Sequence, residues 1–440
     1  MDFMLQLNME KERGIRLMHD FVQKLNNKST GLEPYPNSLR GINWIKFLTK
    51  HGIHNQEIDN SLFAQYRILL DNPEYLLLGN HLLENGFSLL FGAFYYKDLR
   101  LYDKAKDIIE TELNEQILDD GGHFELSPMY HQIILDRVFD CINLLQNNKL
   151  FDGQESLLIF MKEKSEKMLQ WINCMTFSNG NIPLFNDAAT GIAPSSQQLN
   201  DYAIRLGITS EKVIPQIHLN FSDSFLKESG YRRFNGSNYE CIIDVGQIGP
   251  DYQPGHAHAD TFNFELYLHG KPIIVDTGIS TYEKNERRQS ERSTLSHNTV
   301  QVNSFNSSEV WSGFRVARRA MVIFLEENST EITAIHDGYS HLGLFHSRTF
   351  AISGDVLKII DTITGKNQVP SIARIHLHPD VRFQKIDNSI SIDGLKIEFL
   401  GQDSICFSDY LYAAQYNTLI PSIVVEITFY RQLISIFHFN

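Results

Sequence analysis

Through the first half of the chain, apolar residues recur at three- and four-residue steps. The segments are Phe21 to Leu25, Trp44 to Leu48, Leu62 to Leu70, Tyr75 to Phe94, Ala105 to Leu118, Ile133 to Leu145, Leu157 to Ile172 and Leu199 to Leu206. This period predicts amphipathic helices. Breakers such as Asn72-Pro73, Asp120-Gly121-Gly122, Asp152-Gly153 and Ser178-Asn179-Gly180 separate them, predicting antiparallel helical hairpins in series. No fixed-length repeat is evident. After about residue 225 the period falls to two. Short apolar-alternating runs follow one another: Tyr239 to Val245, Phe262 to Leu268, Pro272 to Val275, Thr299 to Val302, Ala320 to Leu325, Glu331 to Ile335, Arg348 to Ile352, Val356 to Thr362, Ile372 to Leu377, Ser389 to Ile392, Leu395 to Leu400 and Ile423 to Phe429. Turn signals at hairpin distances, such as Ser353-Gly354-Asp355, predict a mostly antiparallel β-sandwich. The expectation is a two-domain α+β chain, helical over residues 1–224 and β over 225–440, with the boundary near Asn220 to Gly230.

The β half carries a concentrated chemical segment, Gly255-His256-Ala257-His258-Ala259-Asp260. On an extended backbone, residues two apart share a face, so His256 and His258 are expected side by side. His269-Gly270-Lys271-Pro272 reads as a hairpin turn that folds Asp276 back towards the start of the first strand. His297 follows at the mouth of another β-branched run. Two histidines and a carboxylate with an open fourth position suit a divalent metal, Zn²⁺ first, whereas any one histidine alone is an ordinary hydrogen-bonded residue.

Two helical segments hold polar residues that helix propensity does not explain. Asn80, His81, Glu84 and Ser88 share one face at helical spacing, beside an apolar stripe of Leu83, Phe87, Leu90 and Phe94, which reads as a wet functional stripe. In the second, Ser127 is a good N-cap and Pro128 suits the first helical position, so Tyr130 falls in the first turn. There the positive end of the helix dipole favours the phenolate, useful to a residue that must lose and regain a proton.

The 440 residues carry a net charge of -14, which argues against nucleic acid or an anionic membrane as partner. An anionic small substrate in a local basic cleft stays open, because Arg287, Arg288, Arg292, Arg315, Arg318 and Arg319 cluster in sequence. A solvated loop explains them equally well. No apolar run approaches the roughly 20 residues that cross a bilayer, so no membrane insertion is expected. The first residues show no signal peptide, and Cys141, Cys174, Cys241 and Cys406 are far apart, as buried thiols of a reducing compartment would be. A cytoplasmic protein is expected, or a periplasmic one if the true N-terminus lies upstream.

These phrases together resemble the heparinase II/III-like polysaccharide lyases, relatives of alginate and oligoalginate lyases. The resemblance rests on Tyr35 to Arg40 with Trp44-Ile45, Gly79 to Asn85, Gly122 to His131, Asn186-Asp187-Ala188-Ala189, Gly255 to Asp260, Val275 to Gly278 and Ser296 to Val300. It covers roughly residues 33–350. It implies an incomplete (α/α) toroid followed by an antiparallel β-sandwich, with an active site in the cleft between them. The implied reaction is β-elimination at a 4-linked uronic acid: neutralise the carboxylate, abstract the C5 proton and protonate the leaving oxygen at C4. By resemblance, Asn80 and His81 hold the carboxylate and Glu84 orients His81. Tyr130 is general acid, and also base when both groups lie on one ring face. His256 assists as base or by hydrogen-bonding Tyr130 or the sugar. His258, Asp276 and His297 carry a structural divalent metal, Zn²⁺ first, and Tyr282 and Arg292 are weaker sugar contacts. The expected partner is an acidic polysaccharide or oligosaccharide.

Two further readings stand beside this one. A non-catalytic glycan-binding protein of surface-polysaccharide production uses the same scaffold, and loss of Tyr130, His256 or Asn80 would favour it; all three are present. A glycoside hydrolase needs two carboxylates flanking one bond, for which Glu84 and Glu125 are the candidates.

Overall fold

The computed structural model describes residues 2–25, 31–208 and 226–439. All eight predicted helices are present: α1 (Lys11–Leu25), α2 (Pro34–His51), α3 (Gln56–Asp71), α4 (Gly79–Tyr96), α5 (Leu99–Gln116), α6 (Pro128–Asn147), α7 (Gln154–Cys174) and α8 (Ser196–Arg205). A short α9 (Glu286–Glu291) follows within the β half. Among the described residues no helix is long and apolar enough to cross a membrane.

The strands run in chain order as β1 (Tyr231–Asn235), β2 (Tyr239–Asp244), β3 (Phe264–Leu268), β4 (Lys271–Ile274), β5 (Val300–Val302), β6 (Val310–Trp311), β7 (Arg315–Val316), β8 (Val322–Glu327) and β9 (Glu331–His336). They continue as β10 (Leu344–Ser353), β11 (Val356–Gly365), β12 (Ser371–His376), β13 (Phe383–Ile386), β14 (Ser389–Ile392), β15 (Leu395–Leu400), β16 (Ser404–Tyr412), β17 (Ile420–Phe429) and β18 (Gln432–Phe439). The sheets have the orders β1-β2-β3-β4, β13-β14-β15-β18-β11-β10-β9-β8 and β16-β17-β12-β5, with β6-β7 a separate hairpin. Neighbouring strands are antiparallel, as expected. Phe264, Ile274, Val300, Phe350, Leu357, Phe399, Val425 and Phe437, drawn from all three large sheets, are buried in one apolar core.

Contacts divide the chain into two compact units. One comprises Met1–Gln116, Ile134–Glu166 and Tyr202–Ile208, the other Ile117–Ile133, Lys167–Asp201 and Thr209–Asn440. The loop that precedes α6, with that helix's first turns, therefore belongs with the sheets. The boundary expected at Asn220 to Gly230 falls mostly outside the described residues.

In the helical unit, the Tyr35 to Arg40 phrase is packing. Arg40 Nε donates to Gln65 Oε1 at 2.6 Å, and Asn85 Nδ2 donates to Ser38 Oγ at 3.0 Å, fastening α2 to α3 and α4. Helix α4 is buried on nearly every side. The expected wet stripe is thus corrected: Asn80, Glu84 and Ser88 are buried polar residues, and Ser88 Oγ donates to the Ser38 carbonyl at 3.0 Å.

In the second unit the predicted hairpin forms. His269 (φ 49°) and Gly270 (φ 70°) make the two-residue turn between β3 and β4, the left-handed pair that matches the twist of the strands. The return strand brings Asp276 beside Asn263, whose Nδ2 donates to Asp276 Oδ2 at 2.5 Å.

Candidate active site

Segments distant in sequence meet in the second unit because the Asn186-Asp187 pair bonds to both. Asn186 Nδ2 donates to the Leu126 carbonyl at 3.0 Å, and Asn186 Oδ1 accepts from the His258 amide at 3.1 Å. The Asp187 amide donates to the His256 carbonyl at 3.1 Å, and its own carbonyl accepts from Ser127 Oγ at 2.7 Å. The loop before α6 and the histidine loop are thus fixed to the same two residues.

Pro128 opens α6 as expected, and Ser127 Oγ accepts from the Tyr130 amide at 3.4 Å. The Tyr130 ring stacks on the His256 imidazole, with centroids 3.9 Å apart and planes 17° from parallel. Its hydroxyl lies 3.1 Å from that of Tyr282. Burial, and then the charge of Asp187, push the Tyr130 phenol well above the ordinary range, with the Tyr282 hydrogen bond opposing. A phenol is protonated at neutral pH in water, and this upward shift keeps it so, which suits an acid.

The stacking also corrects the expectation that His256 hydrogen-bonds Tyr130. The donors and lone pairs of an imidazole lie in its own plane, and that plane is nearly parallel to the phenol ring. His256 Nδ1 instead lies 2.8 Å from Glu125 Oε2. Burial alone would depress the His256 pKa, but the charge and hydrogen bond of Glu125 outweigh it, and the net shift is upward. His256 and His258 do not share a face either. The Ala257 amide bonds back to the Pro254 carbonyl at 3.2 Å in a turn, which sends His258 to Asp187, where Nε2 meets Oδ1 at 2.8 Å.

In the helical unit, Glu84 does not orient His81. Arg137 Nε donates to Glu84 Oε1 at 3.0 Å, while Glu74 Oε2 lies 3.3 Å from His81 Nδ1 and Tyr35 stacks on the His81 ring at 4.1 Å. Three residues along α4 leave the two side chains on the same side of the helix, but a partner 53 residues away in α6 decides where the Glu84 carboxylate goes. Asn80 is the second residue of α4, whose N-cap, Leu78 (φ 58°), provides no side-chain cap.

The expected metal residues are close together and fully buried. His297 Nδ1 lies 2.7 Å from Asp276 Oδ2, and the His258 and His297 ring centroids are 5.2 Å apart. Among the described residues no three His, Cys, Asp or Glu side chains are spaced as a ligand set. Asp276 is occupied by His297, Asn263 and the Gly278 amide. Three neighbouring buried atoms, His258 Nδ1, His297 Nε2 and Asp260 Oδ2, have no hydrogen-bond partner. Two imidazole nitrogens and a carboxylate oxygen left in that state fit a divalent cation chemically.

Arg292 has a different task from the expected sugar contact. It is fully buried, and its Nη2 and Nε donate to the Ala257 carbonyl at 2.8 and 3.2 Å, holding the turn between the two histidines. Arg288 is buried against Asp187, with Nη2 2.6 Å from Oδ2, and its guanidinium lies 5.0 Å from the Tyr282 ring centroid. Neither arginine forms a free basic cleft. Cys141, Cys174 and Cys241 are buried as expected, whereas Cys406 is exposed on β16.

The sequence gives no individual role to Asn186, Asp187 or Tyr416, places Arg288 only in the basic cluster, and offers Glu125 only as a hydrolase carboxylate. The Tyr416 ring meets that of Tyr282 edge-on at 5.1 Å. The Asn-Asp phrase was the available signal for the first pair.

The chain thus joins a helical region to antiparallel sheets, and its second unit brings Tyr130, His256 and Glu125 together. Residues 57–205 match the heparinase II/III N-terminus and residues 220–414 the heparinase II/III-like C-terminal region; the chain belongs to the heparinase II/III-like family. It is 26% identical over 337 residues to a heparin-sulfate lyase of Bacteroides stercoris, covering 72% of this chain and 47% of that protein. It is also 23% identical over 333 residues to FtsZ-localized protein C of Caulobacter vibrioides, covering 69% of this chain and 53% of that protein. The chain spans about half the length of these curated relatives. The crystal structure of heparinase III superposes with a TM-score of 0.79 at 17% identity, covering 99% of this chain and 74% of that one.

Proposed function

We propose that this protein is a polysaccharide lyase that cleaves a uronic-acid-containing glycan by β-elimination. The observation that carries the reading is the half-buried phenol of Tyr130, hydrogen-bonded to Tyr282 and stacked on a histidine that Glu125 holds by its other side. A phenol kept protonated is an acid for the leaving oxygen at C4, and an imidazole with one nitrogen on a carboxylate is a base for the C5 proton. Asn80 is assigned to the substrate carboxylate. Its place in the first turn of α4, at an end that lacks a side-chain cap, leaves backbone N–H groups and the positive end of the helix dipole for an anion. His81 assists there, with Glu74 beside it in place of Glu84. The likeness to heparin-sulfate lyases favours an acidic glycosaminoglycan as substrate.

A divalent cation, Zn²⁺ first, is held in this reading by His258 and His297 with the carboxylate of Asp276 or Asp260. When bound, it supplies cross-linking between the histidine loop and the β3-β4 hairpin. The chain's own residues perform the elimination.

A second, non-catalytic reading on the same scaffold is kept beside the lyase one, because one relative, FtsZ-localized protein C, carries no lyase activity in its name. The two separate in one experiment: a lyase releases product with a conjugated unsaturated uronate from heparan sulfate, hyaluronan, chondroitin, alginate or polyglucuronate. A non-catalytic protein releases it from none.

A further inference from the structure

Glu125 lies in the loop before α6 and His256 in the turn before β3, yet Asn186 and Asp187 fix both loops together. Glu125 is 5% exposed, and an ionised carboxylate so buried needs donors. It has two imidazoles near it. His123 Nδ1 is 4.0 Å away, and burial depresses the His123 pKa to about 4, so that ring stays neutral near pH 7. His256 Nδ1 is at 2.8 Å.

We propose that Glu125 is the positioning residue of the elimination, fixing the tautomer and the plane of His256 so that Nε2 presents its lone pair to the substrate. This rests on the lyase reading. A carboxylate only accepts, so the proton of a neutral His256 lies on Nδ1 and the lone pair on Nε2. The Tyr130 ring against one face of the imidazole removes the remaining freedom of the ring to tilt. In the reaction, His256 Nε2 takes the C5 proton, and the C5–H electron pair becomes the C4=C5 double bond. The C4–O bond breaks with its own pair, and the leaving oxygen takes the phenolic proton of Tyr130. Transfer through solvent from the imidazolium to the phenolate restores both groups. Acid and base are thus separate residues, each held by its own partner: Tyr130 by Tyr282, and His256 by Glu125.

The test compares Glu125→Ala and Glu125→Gln with the parent protein in steady-state elimination kinetics and in long-range ¹H–¹⁵N NMR of the histidine rings, the His256 signals being assigned with His256→Gln. Glu125→Ala is expected to lower kcat by roughly 10²–10⁴-fold, the range of a general-base contribution, with KM little changed. Its His256 signals shift from the Nδ1–H form towards the Nε2–H form. Glu125→Gln keeps an acceptor for Nδ1–H and recovers most of the rate and the parent tautomer. A parent-like kcat and tautomer in Glu125→Ala overturn the proposal while leaving the lyase reading intact, as does a change in KM alone. If the parent protein forms no unsaturated product from any polymer, the lyase reading fails and the positioning role fails with it, whichever tautomer the spectra show.

Discussion

Replacing Arg288 by methionine tests the connection that holds the histidine loop. Both partners of the Arg288 and Asp187 pair are fully buried, so neither charge is solvated if the other is lost. Arg288 Nη1 and Nη2 bond the two carboxylate oxygens, the second at 2.6 Å, and Nε donates to the Gly313 carbonyl at 3.1 Å. Hydrogen bonds to charged groups are worth about 1.5–3 kcal/mol each, so the fork alone accounts for roughly 3–6 kcal/mol. That agrees with the roughly 3–5 kcal/mol lost when one partner of a buried pair is removed. The contacts of the guanidinium with the rings of Tyr282 and Phe314, at 5.0 and 5.2 Å, are the smaller contribution. At about 2–4 °C per kcal/mol, the transition of the second unit should fall by roughly 6–20 °C. Urea unfolding followed by tryptophan fluorescence measures the loss directly. Asp187→Asn combined with Arg288→Met should cost less than the sum of the two single changes by more than about 1 kcal/mol, because the second removes a charge the first has already stranded. An Arg288→Met cost below about 1 kcal/mol, or strict additivity, would refute the reasoning.

Arg292→Leu should destabilise by about 2–5 kcal/mol through loss of its bonds to the Ala257 carbonyl; a raised KM with unchanged melting would instead return Arg292 to the sugar. Asp361 gives a pH dependence: burial would raise its pKa, but the charge of Arg348 and bonds from His346 and Arg348 outweigh that and hold it at about 2. The folded state therefore binds fewer protons than the unfolded one, and the group contributes about 2 kcal/mol that is present above roughly pH 4 and lost as pH falls through about 2. Acid unfolding curves of the parent and Asp361→Asn should converge there and diverge above it. Dialysis against a chelator should strip a divalent cation measurable by elemental analysis and lower the melting temperature, and His297→Ala should abolish both effects.

Period and turn chemistry made much of the fold legible. All eight helices could be read, and the His269-Gly270 turn carried enough information to return Asp276 to Asn263. The pattern misses the short β1, β6, β7 and β13 and two long strands, Ser404–Tyr412 and Gln432–Phe439. Polar residues interrupt the long strand Ser404–Tyr412, while Gln432–Phe439 alternates cleanly but has no turn signal after it to mark it off. Being the neighbour of both β11 and β15, it is central to the largest sheet. Site residues were legible as types and less so as partners. Helical spacing put Glu84 beside His81, but burial made Glu84 seek a guanidinium, and Arg137 supplied one from another helix. The two-residue spacing of His256 and His258 assumed a strand where a turn occurs. Glu125 and His256 lie 131 residues apart, and no local pattern announces that pair.

The central claim is tested most directly by following absorbance of the conjugated unsaturated uronate while the parent protein and Tyr130→Phe act on heparan sulfate, hyaluronan, chondroitin, alginate and polyglucuronate. The account predicts a rise on at least one polymer for the parent and a rate lower by roughly 10²-fold or more for Tyr130→Phe. Melting of the variant should differ little, because a single hydrogen bond to Tyr282 is lost. An unchanged rate in Tyr130→Phe, or no rise on any of the five polymers with folded, metal-loaded parent protein, would contradict it.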